Sequence, residues 1–279
     1  MDTLTRFISA PALATRMGCA QQPLLVDVRR HEAFSADMRM IAGATWRDPF
    51  AIDGWLKFLP RHREVVVYCV HGHEISQNAC QALRAANINA FALAGGMQAW
   101  QANAGMTIRK NAALSIPSVP NVPSRWITRE RPKIDRVACP WLIRRFIDPC
   151  AEFLYVPATD VLTRAKTDNA IAYDVPGVTF THRGDHGERC SFDALMEDFE
   201  MHDSALHQLA SIVRGADTGQ IGLTPQSHGL LAISIGLSAL YHNDDDMLNQ
   251  GMVVYDALYA WLKTAHAEIH NADLFKEKT

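Results

Sequence analysis

Cys69 closes the apolar run Glu64-Val65-Val66-Val67-Tyr68, and Val70-His71-Gly72-His73-Glu74-Ile75-Ser76 follows it. A thiol between a β-like run and a Gly-containing turn leading into a helix is well placed to be a nucleophile. Backbone N–H groups of such a loop and of the first helical turn can converge on the sulfur. They stabilise a thiolate, or an extra anionic sulfur carried on it. Val70, His71, Gly72, His73, Glu74 and Ile75 are the expected cradle; the alternative is a cysteine that is simply buried at a strand end. A second thiol, Cys139, precedes Pro140 in the string Lys133-Ile134-Asp135-Arg136-Val137-Ala138-Cys139-Pro140-Trp141. Proline suits the first helical position, which makes Cys139 the expected N-cap. The helix dipole, with Arg136, Arg144 and Arg145, would then lower the thiol pKa or build an oxyanion site. The plainer alternative is a capping cysteine above a helix that buries Trp141, Leu142 and Phe146.

A third group is His182, Asp185, His186, Glu188 and Cys190, shortly after Asp174. Such N, O and S donors can hold a divalent metal, with Asp135, His182 and Cys190 the first choices. No recognised metal spacing is present, and a solvated polar loop remains the other reading. His202, His207 and His228 read as surface or packing residues. The run Asp244-Asp245-Asp246 reads as a helix entry, where negative charge suits the dipole.

The elements that must position these groups follow from periodicity and punctuation. Ser9 before Pro11 marks a helix start and Gly18 its end. Residues 23–28 form a short apolar strand, 50–59 have helical spacing, and 64–69 form a second strand. A helix over 76–86, a strand over 90–93 ending at Gly95-Gly96, and a helix over 97–103 complete the first half. Strands alternating with helices predict an α/β domain with a mostly parallel sheet over residues 1–105. Pro117, Pro120 and Pro123 recur every third residue, which favours an extended linker over 106–124. The second half, 125–279, offers strands at 126–129, 153–156, 171–174 and 178–182. Its helices are expected at 140–147, 192–199, 204–215, 226–241 and 247–266, an α+β pattern that is helix-rich at its end.

The 279 residues suffice for two medium domains. A hydrophobic content of 48% and a charged content of 20% fit a globular chain. A net charge of −3 leaves no electrostatic footprint for nucleic acid or an anionic membrane. The six cysteines are scattered without a C-x-x-C, unlike a disulfide framework. No apolar stretch approaches the ~18 residues of a membrane span, and no signal-peptide core is visible. These features predict a cytoplasmic protein in which a working thiol stays reduced. The broad apolar faces of the last two helices permit a homodimer.

Four landmarks of the first half resemble single-domain rhodaneses. They are Leu25-Val26-Asp27-Val28-Arg29 with Glu32-Ala33-Phe34; Ile41-Ala42-Gly43-Ala44; Val65 to Cys69; and Leu93-Ala94-Gly95-Gly96-Met97-Gln98-Ala99-Trp100. The resemblance implies a sulfurtransferase of the thiosulfate type, with Cys69 carrying sulfane sulfur as a persulfide from a donor to a thiol acceptor. Sulfur transfer itself requires no cofactor. Active members often carry Arg or Lys where this chain has Glu74. A carboxylate there opposes a dianionic donor and puts thiosulfate itself in doubt. The loop also lacks the Arg that a phosphatase needs to clamp phosphate.

The second half resembles the C-terminal domain of ChrB-type chromate-resistance proteins. The resemblance is carried by the Lys133 to Asp148 string, Tyr173-Asp174-Val175-Pro176-Gly177, Phe180-Thr181-His182-Arg183-Gly184, Arg189-Cys190-Ser191-Phe192-Asp193, and Gly215-Ala216-Asp217-Thr218. It implies a link to chromate or another oxyanion and carries little mechanism. The expectation is a sulfurtransferase associated with chromate resistance. The competing expectation is a non-catalytic sensor or binding protein for an oxyanion or metal.

Overall fold

The structure is a computed structural model and describes residues 5–110, 123–186, 188–265 and 267–268. The first half contains β1 (Phe7–Ile8), α1 (Ala10–Ala14), β2 (Leu24–Asp27), α2 (His31–Ala36), β3 (Arg39–Ile41) and β4 (Ala44–Trp46). It continues with α3 (Ile52–Leu56), β5 (Val65–Tyr68), α4 (Glu74–Ala85), β6 (Ala90–Leu93), α5 (Gly96–Ala102) and β7 (Thr107–Arg109). Five strands make one parallel sheet in the order β1-β6-β5-β2-β4. The predicted parallel α/β architecture is therefore present. Ser9 caps α1 by accepting from the Ala12 N–H, as its type predicts.

Side chains of successive strand residues point to opposite faces, so β2 and β5 feed two cores. Leu24, Val26, Val65 and Val67 pack with Ala79, Cys80 and Leu83 of α4 and Trp55 of α3. Leu25, Val66 and Tyr68 face the other way, into a core shared with α1, α5 and much of the second half. This shared core joins Leu13, Met40, Trp100 and Ile108 to Trp141, Phe146, Tyr255 and Tyr259.

The stretch expected as a linker from residue 106 behaves differently at its start. β7 pairs antiparallel with β3, and the Arg109 N–H donates to Phe199 O across the two halves. Pro117 and Pro120 lie outside the described residues.

The second half holds β8 (Arg125–Arg129), α6 (Asp135–Phe146), β9 (Glu152–Val156), α7 (Val161–Thr167) and β10 (Ile171–Ala172). Then come α8 (Ser191–Asp198), α9 (Ser204–Asp217), α10 (Pro225–Leu240) and α11 (Asp244–Ala260), the last running on into a π-helical turn at Trp261–Ala265. The three strands form a parallel sheet in the order β10-β8-β9. Residues 178–182 do not form the expected strand. Asp174 and Gly177 have positive φ, which turns the chain, and only a single bridge joins Tyr173 to Phe180. Helix α7 was not expected from the sequence.

α6 also departs from expectation. It begins at Asp135, with Ile134 as N-cap, so Pro140 sits inside it. A proline there cannot donate to the carbonyl four residues back, that of Arg136. Tyr155 Oη donates to Arg136 O at 3.3 Å and Tyr173 Oη lies 3.5 Å from it, so the freed acceptor is satisfied from neighbouring elements. No helix among the described residues is long and apolar enough to cross a membrane.

Candidate functional site

Cys69 directly follows β5 and is almost fully buried. Its Sγ lies 3.3 Å from Ser76 Oγ, whose hydroxyl donates to His73 O at 3.1 Å. Ser76 belongs to the first turn of α4, which starts at Glu74 with His73 as N-cap. The sulfur therefore rests against a helix N-terminus, where the first N–H groups have no intrahelical partner and the dipole favours negative charge. Ser76 was not foreseen, because the expected helix began two residues later.

The loop is held by the segment after β6. Cys69 O accepts from the Met97 N–H at 2.9 Å, and Val70 O from the Gln98 N–H at 3.1 Å. Such close backbone approach requires glycine. A Cβ at Gly96 would lie 2.4 Å from Cys69 O, and one at Gly72 would lie 2.6 Å from Gly95 N; all three glycines have positive φ. The Gly95-Gly96 pair thus earns its place by letting α5 start directly beneath the thiol loop. Gln77 Nε2 ties down Gly72 O, and His71 Nδ1 lies 2.8 Å from Gln98 Oε1. His71, His73 and Glu74 are exposed, Val70 and Ile75 half-buried, and Gly72 buried.

Behind the loop, Tyr68 Oη donates to Asp27 Oδ2 at 2.9 Å and accepts from the Ile41 N–H. Arg29 is buried and pairs with Asp27 and Asp37, so these residues brace the strand ends. Cys80, on α4, is buried, which pushes its thiol pKa up.

A second cluster lies in the other half. His182 Nε2 is 3.1 Å from Asp217 Oδ2, 3.5 Å from Asp174 Oδ1 and 4.0 Å from Asp135 Oδ2. Donor atoms of Asp135, Asp174 and His182 all lie within 4.8 Å of one another. Asp135 is buried, and its oxygens accept the N–H groups of Ser191 at 2.6 Å and Phe192 at 3.1 Å, in the first turn of α8. Burial, then Asp217 and Asp174, pushes its carboxyl well above the usual range. Burial also raises Asp174, but bonds from His182 and the neighbouring Arg129 outweigh it and hold that carboxyl low. Arg129 Nη2 and Arg136 Nε reach Asp174 Oδ2 at 3.1 and 3.3 Å.

Of the three residues expected to bind metal, Asp135 and His182 come together. Cys190 is instead the N-cap of α8, with its Sγ 3.5 Å from Asp193 Oδ2, and it is not one of the three residues whose donor atoms converge. Asp217 went unrecognised as a partner because it is far from His182 in sequence. Cys139 also departs from expectation. It lies inside α6, fully buried, with Sγ 3.5 Å from Asp135 Oδ1. Burial and the adjacent Asp135 push its thiol well up, the reverse of an activated N-cap cysteine.

Two family matches are found in the chain. Residues 9–103 match the rhodanese-like domain, and residues 126–262 match the ChrB C-terminal domain. The protein ChrB of Cupriavidus metallidurans is 40% identical over 136 residues, covering 48% of this chain and 40% of that protein. The chain thus spans less than half the length of that curated relative. Among solved structures, a rhodanese-related protein from Thermoplasma volcanium is 24% identical, covering 38% of this chain and 99% of that one, with a TM-score of 0.34. A rhodanese-like domain protein from Staphylococcus aureus is 25% identical, covering 34% and 91%, with a TM-score of 0.32. The chain joins a rhodanese-like domain, carrying the Cys69 loop, to a ChrB C-terminal domain, carrying the His182 cluster.

Proposed function

We propose that the protein is a cytoplasmic sulfurtransferase that carries sulfane sulfur on Cys69 and serves chromate resistance. The observation that supports this most directly is the position of the Cys69 sulfur against the first turn of α4. The thiolate attacks the sulfane sulfur of a donor. An S–S bond forms at Cys69 as the donor's own bond to that sulfur breaks, and the donor remnant leaves with the electron pair; for thiosulfate the remnant is sulfite. An acceptor thiolate then attacks the outer sulfur and leaves Cys69 as thiolate again, so no net redox change falls on the protein. The N–H groups of the first helical turn stabilise the persulfide anion between the two steps.

The ChrB C-terminal domain and the ChrB relative support the chromate association. A non-catalytic binding role is the competing reading, and Glu74 in the cradle is the residue that favours it. Intact-mass analysis of the full chain after exposure to thiosulfate, or to an organic persulfide, separates the two. Addition of one sulfur atom that is lost in Cys69→Ser is expected. An unchanged mass with both donors would sink the enzymatic reading.

A further inference from the structure

Four of the ChrB-like segments contribute to one cluster: Asp135, Asp174 and His182 bring donor atoms within 4.8 Å of one another, and Asp217 Oδ2 joins them through its 3.1 Å contact with His182 Nε2. Asp135 opens α6, Asp174 follows β10, His182 sits in the loop beyond, and Asp217 ends α9. Around His182 Nε2 the carboxylate oxygens stand at 3.1, 3.5 and 4.0 Å. A first-row divalent ion with bonds of ~2.1 Å holds its ligand atoms roughly 3.0 Å apart in octahedral geometry and roughly 3.4 Å apart in tetrahedral geometry. The two shorter separations already fall close to those spacings, and Asp135 must draw in by roughly 0.6–1.0 Å to complete a coordination shell.

Three properties distinguish it from an exposed acidic patch. It contains an imidazole nitrogen as well as carboxylates. Asp135 and Asp174 are buried at its floor, while the His182 side chain is 33% exposed and Asp217 17%, which leaves a way in. The floor carboxylates are also held in place from behind. Asp135 is fixed by the first N–H groups of α8, and Asp174 by Ser191 Oγ at 3.0 Å and by Arg129 and Arg136. Both arginines serve Asp174. Among the described residues, no Lys or Arg forms an ion pair with Asp135 or Asp217. Asp135 instead faces His182 Nε2 at 4.0 Å.

We propose that Asp135, Asp174, His182 and Asp217 bind one divalent transition-metal ion of oxygen-rich preference, for which manganese(II) is the probe of choice. Three carboxylates and one imidazole match that ion's ligand chemistry, and it avoids the thiols that zinc would also seek. In that arrangement His182 Nε2 is the nitrogen donor, and the Asp135, Asp174 and Asp217 carboxylates supply the oxygens.

The test uses the full chain, stripped with a chelator and dialysed. Titration with manganese(II), followed by loss of the free-ion EPR signal, should show one saturable site per chain. His182→Ala and Asp217→Asn should each weaken it at least tenfold, with unchanged circular dichroism. Pulsed EPR of the loaded wild-type protein should show coupling to a directly bound imidazole nitrogen. That measurement needs no variant, so it decides the matter even if a substitution fails to fold. No saturable site at millimolar ion, undiminished binding in both variants, or the absence of nitrogen coupling would each overturn the assignment.

Discussion

Glu74 occupies the first turn of α4, the same turn that faces the Cys69 sulfur. A carboxylate there suits the helix dipole and so competes with the anion that the loop should hold. Replacing it with arginine removes a like charge and adds an opposite one. For Glu74→Arg, kcat/KM with thiosulfate should rise roughly tenfold. A neutral organic persulfide should respond far less, because it presents no dianion to the loop. Steady-state assays with both donors check this, and equal changes for the two would refute an electrostatic role. At this scale the sequence was most informative where partners are close in the chain. Cys69 was legible because strand, turn and helix follow one another within a dozen residues. Ser76 was lost to a two-residue error in the helix start. Asp217 carries no signal that ties it to His182, since only the folding of α9 against α6 and α8 brings the two together. Cys139 was misread because the preference of proline for a helix start outweighed the continuous helical pattern around it.

α6 shows how an element absorbs a local violation. Pro140 breaks its ladder, and two tyrosines from β9 and the end of β10 repair it at Arg136 O. Replacing either Tyr155 or Tyr173 with phenylalanine should cost about 1 kcal/mol, because the other hydroxyl still serves the carbonyl. Removing both should cost more than the sum, about 3 kcal/mol in total, because a buried acceptor is then left without a partner. Urea unfolding of the two single variants and the double variant measures the difference; strict additivity would refute the repair. Strand and helix types were largely legible from alternation and apolar spacing. Besides the unexpected α7, the failures fall where backbone geometry overrides pattern: residues 178–182, turned by Asp174 and Gly177, and the start of α6.

The two halves meet across a continuous apolar core, and polar contacts cross the same seam. Gly43 N donates to Phe146 O at 2.7 Å, Gln22 Nε2 to Arg145 O at 2.7 Å, and Arg39 pairs with Glu200 at 2.9 Å. Two glycines allow the approach. A Cβ at Gly43 would sit 2.8 Å from Arg145 O, and one at Gly18 would sit 2.1 Å from Tyr259 Cε1, both at positive φ. Gly43→Ala and Gly18→Ala should each cost about 2–3 kcal/mol, with the full chain still unfolding in one transition. Gly177→Ala is the control, since its φ is also positive but nothing lies within 4 Å; it should cost only about 1–2 kcal/mol. Denaturant melts followed by circular dichroism and tryptophan fluorescence would refute the seam if the two probes separated or the three variants behaved alike. The seam was invisible in the sequence because a linker-like composition and two familiar sets of landmarks suggested independent beads.

Gly18 also limits interchange. A rhodanese-like domain taken from another protein would meet the ChrB C-terminal domain with its own surface, and a side chain at the place of Gly18 would hold the halves apart. The first half is a lock-and-key fitting for the second, and the Cys69 loop cannot be transplanted without the face that lies behind it.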